Sequence, residues 1–146
     1  MMLGARTAAW AKSGLIPPPT GKFVAVGDSR KFSVSDDGEN WTTASAISGQ
    51  MYSLWGVAYG NGKFVAVGDN RKFSVSDDGE NWTTASAISG QAGSWFGVAY
   101  GNGKFVAVGD EGTFSVSDDG ENWTTASAIS GQAESWWGVC HSERMM

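Results

Sequence analysis

The clearest candidates for chemistry in this 146-residue sequence are paired carboxylates that precede a tryptophan. Asp36-Asp37 lies in "FSVSDDGENWTTASAISGQ" at 32–50, and the same letters return at 73–91 and 114–132. Paired carboxylates are typical of calcium sites and of acid–base catalysis. However, adjacent side chains at a strand end tend to point apart, and EF-hand spacing is absent. The stretch therefore favours a structural turn, in which Asp accepts backbone N–H groups, Gly takes a left-handed conformation and Trp is buried.

Cys140-His141 is the other pair of residue types that could do chemistry, and these are the sole cysteine and the sole histidine. A Cys–His nucleophile needs a spatial arrangement that adjacency in sequence does not give. One cysteine also excludes a disulfide within the chain and a thiol metal cluster. We predict no catalytic residue, no metal and no cofactor.

The fixed 41-residue spacing of the copies is typical of a repeat architecture. The middle copy divides into four short strands, "WGVAY", "KFVAVG", "KFSVS" and "NWTTAS", joined by tight-turn sequences such as "YGNGK" and "SDDGEN". Short connections predict an antiparallel meander. Residues 64–67 are all apolar, so similar sheets must cover this strand on both faces. We therefore predict an all-β fold, a β-propeller of four-stranded antiparallel blades with three blades per chain; a β-solenoid is the competing interpretation.

The stretch "VSDDGENW" resembles the Asp-box, Ser/Thr-x-Asp-x-Gly-x-x-Trp, of bacterial neuraminidase repeats in the sialidase-like propeller superfamily. The likeness covers residues 21 to about 139. It departs from the pattern at Val34, Val75 and Val116, where the family has a hydroxyl. The resemblance implies a propeller in which the motif is a structural turn away from any active site. The matching residues are Asp36, Gly38, Trp41, Asp77, Gly79, Trp82, Asp118, Gly120 and Trp123.

The two ends of the repeat region predict how the ring closes. The first copy begins at Gly21, inside the second strand of a blade, and "WWGVCHS" at 136–142 repeats a first strand. We expect residues 1–20 to be a poorly ordered extension or linker, 21–142 to hold the repeats, and 143–146 to be a tail. Propeller rings typically need about four to eight blades. We therefore predict closure by oligomerisation, with strand 137–140 completing a blade of a partner chain: a homodimer with six blades, or alternatively a homotrimer with nine.

Composition narrows the possible partners. The net charge of −5 without a basic stripe argues against nucleic acid. No apolar run is long enough for a signal peptide or a membrane span, so a cytoplasmic location is the default expectation.

The copies differ only in the turn between second and third strands and in the loop before the first strand, which a meander places at one face. Aromatic rings beside charged groups suit sugars, although packing into the core or rim is the alternative for the tryptophans. The candidate ligand face comprises Tyr52, Trp95, Trp136, Arg30, Arg71 and Glu134.

These observations predict a non-catalytic scaffold or binding module that assembles with itself. A carbohydrate-binding lectin is the first alternative. A sialidase-like glycoside hydrolase is the distant one, because its site would need an arginine cluster, whereas Arg30 and Arg71 repeat one position that the third copy lacks. The identity of the copies also leaves open a recently amplified or constructed repeat protein with no evolved ligand.

Overall fold

The computed structural model describes residues 21–49, 53–90, 93–131 and 133–142. The predicted N-terminal extension and C-terminal tail lie outside these residues. Short 3-10 segments occur at Asp28–Arg30 and Asp110–Gly112. The strands of the described chain are β1 (Phe23–Val26), β2 (Lys31–Ser35), β3 (Ser45–Ala46), β4 (Leu54–Gly60), β5 (Lys63–Gly68), β6 (Lys72–Ser76), β7 (Ser86–Ala87), β8 (Trp95–Gly101), β9 (Lys104–Gly109), β10 (Thr113–Ser117) and β11 (Ser127–Ala128).

The strands form three antiparallel sheets, each a simple meander. Sheet 1 has the order β1-β2-β3, sheet 2 the order β4-β5-β6-β7, and sheet 3 the order β8-β9-β10-β11. The predicted all-β fold of antiparallel sheets is thereby confirmed. Sheet 1 has three strands because its β1 corresponds to β5 and β9, and no described strand takes the place of β4 beside it.

The second strand of the middle sheet, β5, is buried on both faces, as its continuous apolar sequence predicts. Val65, Ala66 and Val67 of β5 are each fully buried. Two intersheet cores cover these faces. The first intersheet core, between sheets 1 and 2, contains Phe32, Val34, Ile47, Leu54 and Ala66. The second intersheet core, between sheets 2 and 3, contains Val65, Val67, Phe73, Val75, Ile88, Trp95, Val98, Phe105 and Ala107.

The outer strand of each sheet is shorter than the sequence predicts. "NWTTAS" at 81–86 was expected to be a strand, but β7 comprises only Ser86–Ala87. The hydroxyl of Thr83 accepts the backbone N–H of Val75 at 3.1 Å, and the Ser74 hydroxyl donates to the carbonyl of Thr83 at 2.6 Å. These side-chain bonds replace part of the strand ladder, so the backbone before β7 stays irregular.

Candidate functional site

The turn that follows β2 is held by one carboxylate. Asp37 accepts the hydroxyl of Ser35 at 3.0 Å and the backbone N–H groups of Glu39 and Asn40 at 2.8 Å each. Its second oxygen accepts the side-chain amide of Asn40 at 2.8 Å. Gly38 takes the left-handed conformation, with φ of 82°, that this tight turn requires. The same set of bonds recurs around Asp78 and Asp119.

The structure assigns the acceptor role to the second aspartate of each pair, whereas the Asp-box alignment selected the first. The side chain of Asp36 is almost fully exposed and lies 3.9 Å from Lys22 Nζ. Asp77 is exposed in the same way, 3.7 Å from Lys63 Nζ. The physical reason is the buried Ser35, whose hydroxyl, at the end of β2, donates to the residue two positions on. Asp118 is likewise exposed and occupies the corresponding position in the third copy.

The glycine of the motif takes the turn conformation predicted for it, but the tryptophans are not buried as predicted, since Trp41 is 44% exposed and Trp82 and Trp123 are half-buried. The indole N–H of Trp41 donates to the carbonyl of Gly38 at 3.1 Å. The pairs Trp82–Gly79 and Trp123–Gly120 form the same bond at 3.0 Å. Each ring therefore folds back over its own turn.

The electrostatics of the turn also indicate a structural role. The backbone and side-chain hydrogen bonds from Asn40, followed by those from Glu39 and Ser35, hold the pKa of Asp37 far below its usual value. Asp78 and Asp119 have lowered pKa values for the corresponding reasons. A carboxylate that is ionised and already accepts this many donors is poorly matched to proton transfer near neutral pH.

The two segments in which the copies differ lie together, as the meander predicts. The backbone N–H of Asp69, in the turn after β5, donates to the carbonyl of Ser53 at 3.0 Å. The Asp69 carboxylate accepts the N–H of Ser53, the indole N–H of Trp55 at 2.8 Å and the hydroxyl of Ser94 at 2.7 Å. Burial raises the pKa of Asp69, but these hydrogen bonds together outweigh burial and lower it. The hydrogen bond from the Ser94 hydroxyl to the Asp69 carboxylate thus links sheet 3 to sheet 2.

The predicted ligand-face residues differ in burial. Trp95 is fully buried in the second intersheet core, which matches the alternative of core packing. Trp136 is half-buried, and its indole N–H donates to the carbonyl of Gly112 at 3.1 Å. Arg30 and Arg71 occupy left-handed turn positions, with φ of 65° and 64°. Glu134 is exposed, and Tyr52 lies outside the described residues.

A row of three aromatic rings, with exposed rings at its two ends, stands next to that predicted face. The Trp55 and Phe96 rings meet edge-on with centroids 5.5 Å apart, and the Phe96 and Trp137 centroids are 4.4 Å apart. Trp55 and Trp137 remain largely exposed. These rings contact one another between neighbouring sheets, and no pattern in the sequence indicated that Trp55 and Trp137 would be exposed.

The free edge of β1 is the most unusual surface of the described chain. Phe23 on β1 is 56% exposed, whereas its counterparts Phe64 and Phe105 are 9% and 0% exposed. A cleft of about 420 Å³ borders this edge and is lined by Gly21, Lys22, Tyr59, Phe64, Asp77 and Asp78.

Residues 136–142 pack beside β8 in the way that β8 packs beside β4. A β-carbon added at Gly97 would lie 3.1 Å from the Cα of Gly138, and one added at Gly56 would lie 3.3 Å from the Cα of Gly97. The imidazole of His141 covers Gly101, as the ring of Tyr100 covers Gly60. This segment therefore has the place of an inner strand, by which we mean the first strand of a sheet, such as β4 or β8. However, no strand ladder joins it to another described segment.

No family model matches this chain, and no curated protein matches its sequence. Across the described ranges, no cluster of three or more His, Cys, Asp or Glu residues could hold a metal ion. In the same ranges, no helix has the length and apolar character that a membrane crossing requires.

Proposed function

We propose that this protein is a non-catalytic β-propeller scaffold or binding module, completed by self-assembly of two chains into a ring of six blades. Each sheet is one blade. A single observation supports the proposal: sheet 1 lacks an inner strand, while residues 136–142 have the sequence of an inner strand and pair with no described strand. Supplying one to the other would complete sheet 1 as a four-stranded sheet built from two chains.

The register of the complete sheets gives the register of this exchange. In sheet 2, Gly56 pairs with Val67, Val57 with Ala66, Ala58 with Val65, and Tyr59 with Phe64. The β4 residues are moved forward by two repeats and the β5 residues back by one repeat. The pairs then become Gly138 with Val26, Val139 with Ala25, Cys140 with Val24, and His141 with Phe23. The His141 ring would then cover Phe23 as the Tyr59 ring lies against Phe64, with centroids 4.6 Å apart.

A second copy is the donor of this strand because the chain's own segment is already placed elsewhere. Residues 136–142 lie against sheet 3, on its side away from sheet 2: the N–H of Trp136 donates to the carbonyl of Gly109 at 3.0 Å, and the Ser135 hydroxyl donates to Asp110 at 2.8 Å. The edge of β1 belongs to the opposite end of the sheet array. Head-to-tail contacts of this kind close into cyclic rings when the rotation allows. A ring of three chains and nine blades is the alternative stoichiometry.

The experiment compares two shortened chains by native mass spectrometry. The chain ending at Trp136 lacks the exchanging strand, and the matched control ending at Ser142 lacks only the last residues. We expect the control to assemble and the shorter chain to stay monomeric, since an unpaired edge strand is stabilised by the strand that fills it. Assembly of the chain ending at Trp136 to the same mass would refute strand exchange.

Carbohydrate binding is the second candidate, favoured by the exposed rings of Trp55 and Trp137. Sugar C–H faces pack on aromatic rings, and Asp69 holds the Trp55 indole through its N–H. A glycan array with the assembled protein tests this role. Binding that is lost in Trp55→Ala and kept in the surface variant Asp77→Asn supports a lectin, and an array without any bound glycan argues against it.

A further inference from the structure

We infer that the face of sheet 3 that points away from sheet 2 docks against the face of sheet 1 that points away from sheet 2 in a second copy. We call these two surfaces the open faces. Their contact would repeat the packing that joins sheets 1 and 2 and sheets 2 and 3, which we call the closed interfaces. This inference rests on the proposed function and names a second contact besides strand exchange. The open face of sheet 3 carries Val106, Phe114, Val116 and Ile129; the open face of sheet 1 carries Ala25, Glu39, Trp41 and Ala44.

Ion pairs give the first evidence, because each closed interface has one and the open faces hold the two halves of a third. Lys22 Nζ lies 3.1 Å from Glu80 Oε2 between sheets 1 and 2. Lys63 Nζ lies 3.3 Å from Glu121 Oε2 between sheets 2 and 3. Lys104 and Glu39 occupy the same repeat positions as these lysines and glutamates, and they are the members left without such a pair in the described chain. Both are exposed in the chain, at its opposite open faces.

Aromatic contacts follow the same series. The rings of Phe32 and Trp82 are 5.7 Å apart across the first closed interface, and those of Phe73 and Trp123 are 5.8 Å apart across the second. Phe114 and Trp41 are the third pair. Trp41 is exposed, whereas its two counterparts are half-buried, so the ring that should cover it is missing.

The isoleucine that follows the last strand of each sheet also differs in burial. Ile47 and Ile88 are 1% and 2% exposed at the closed interfaces, but the identical position Ile129 is 39% exposed. Backbone bonds run beside them: Ala85 N–H donates to Ser48 O at 3.0 Å, and Ala126 N–H donates to Ser89 O at 2.9 Å. The third bond would join the Ala44 N–H to the Ser130 carbonyl.

The space at one glycine shows that a neighbour is missing there. A β-carbon at Gly49 would lie 2.7 Å from Thr84 Cγ2, and one at Gly90 would lie 2.8 Å from Thr125 Cγ2. A β-carbon at Gly131 would meet nothing within 4 Å. Thr43 of a second copy is the residue that the series places there.

The second copy is identified as the occupant by the chemistry of both faces. The open face of sheet 3 holds Lys104, the apolar side chains and the Ser130 carbonyl. The open face of sheet 1 holds Glu39, Trp41 and the Ala44 N–H group. Each half matches the other in register, and both belong to this sequence. An unrelated partner would have to reproduce the whole series.

The first test uses charge reversal and mixing, measured by sedimentation velocity. Lys104→Glu alone and Glu39→Lys alone place like charges across every contact, and we expect each to raise the dissociation constant roughly tenfold. An equimolar mixture of the two variants restores opposite charges at both contacts of a two-chain ring, so assembly should return. Glu121→Lys, which breaks a pair within the chain, is the matched control and should assemble like the wild type.

The second test is a disulfide between the open faces, in a Cys140→Ala background. Gly131→Cys with Thr43→Cys should give a covalent species of two chains on a non-reducing gel. Gly49→Cys with Thr84→Cys is the control at the equivalent closed interface, and its bond should form within one chain. A β-carbon at Gly49 would lie 2.7 Å from Thr84 Cγ2, so the side chains of cysteines at these two positions would be within reach of one another.

The outcomes separate this inference from the proposed function. If the wild-type chain assembles but the Gly131–Thr43 pair forms no interchain bond and mixing rescues nothing, the docking face is wrong while self-assembly stands. If the wild-type chain is a folded monomer, self-assembly itself fails, and the docking face fails with it.

Discussion

The two closed interfaces and the two open faces of the sheet array are built from the same residue types at the same repeat positions. Ile47 and Ile88 are buried, while Ile129 is not. Phe64 and Phe105 are buried, while Phe23 is not. Because the copies share their sequence, the presence of a neighbouring sheet or of an inner strand, and not the local sequence, decides burial. The open faces are therefore two halves of an interface whose complete form is present twice in the chain.

The largest effect should be the difference in unfolding free energy between the variants Phe105→Ala and Phe23→Ala. Phe105→Ala removes a fully buried ring and should lower the free energy of unfolding by about 3–5 kcal/mol at every protein concentration. Phe23→Ala should cost little, about 1 kcal/mol or less, in dilute solution, where its ring is mostly exposed. Its cost should rise with concentration as assembly buries the ring. Urea unfolding of both variants at low and high concentration measures this, and a cost for Phe23→Ala that does not vary with concentration would contradict the comparison.

A second prediction concerns the glycines at which inner strands approach one another. Gly97→Val should destabilise the chain itself, since the added β-carbon meets Gly138 at 3.1 Å. Gly138→Val meets nothing within 4 Å in the chain, but in the ring it would press on Gly56 of the second copy. We expect a wild-type melting temperature in dilute solution and a dissociation constant at least roughly tenfold higher.

Calorimetry of dilute samples and sedimentation velocity together measure both quantities. Normal assembly of Gly138→Val would show that its inner strand does not meet another copy.

Much of the fold could be predicted from the sequence, because the repeat period, the Asn-Gly turns and the apolar run of β5 together favour antiparallel sheets packed on one another. The roles of Asp36 and Asp37 could not be separated, because adjacent aspartates at a strand end differ only in which of them the Ser35 hydroxyl reaches. Trp95 had a signal: the same position in the previous copy is Leu54, a residue type suited to the core. The exposure of Trp55 and Trp137 depends on the spacing of inner strands, which no local pattern contains.

The smallest effect, and one independent of the open faces, should come from the turn carboxylates. The pKa of Asp78 is lowered in the fold, so its stabilising contribution is complete above the ordinary value of 3.8 and is lost as pH falls through the folded-state value. Asp78→Asn should therefore melt earlier than the wild type at neutral pH and lose less stability on acidification below about pH 4.

Asp37→Asn should behave in the same way, because its turn bonds are complete although it lies at an open face. Asp77→Asn, at an exposed side chain, is the matched control and should follow the wild type. Thermal unfolding from about pH 7 to about pH 2 measures all four proteins. An Asp37→Asn effect much smaller than that of Asp78→Asn would show that the neighbouring sheet, and not the turn alone, sets the strength of these bonds.

The mass of the wild-type particle in solution tests the central claim most directly. Sedimentation equilibrium over a wide range of concentrations should give twice the 15.4 kDa mass of the chain, with a midpoint of thermal unfolding that rises with concentration. Three times that mass would favour the nine-blade ring. A well-folded particle of 15.4 kDa at every concentration would contradict assembly through the open faces.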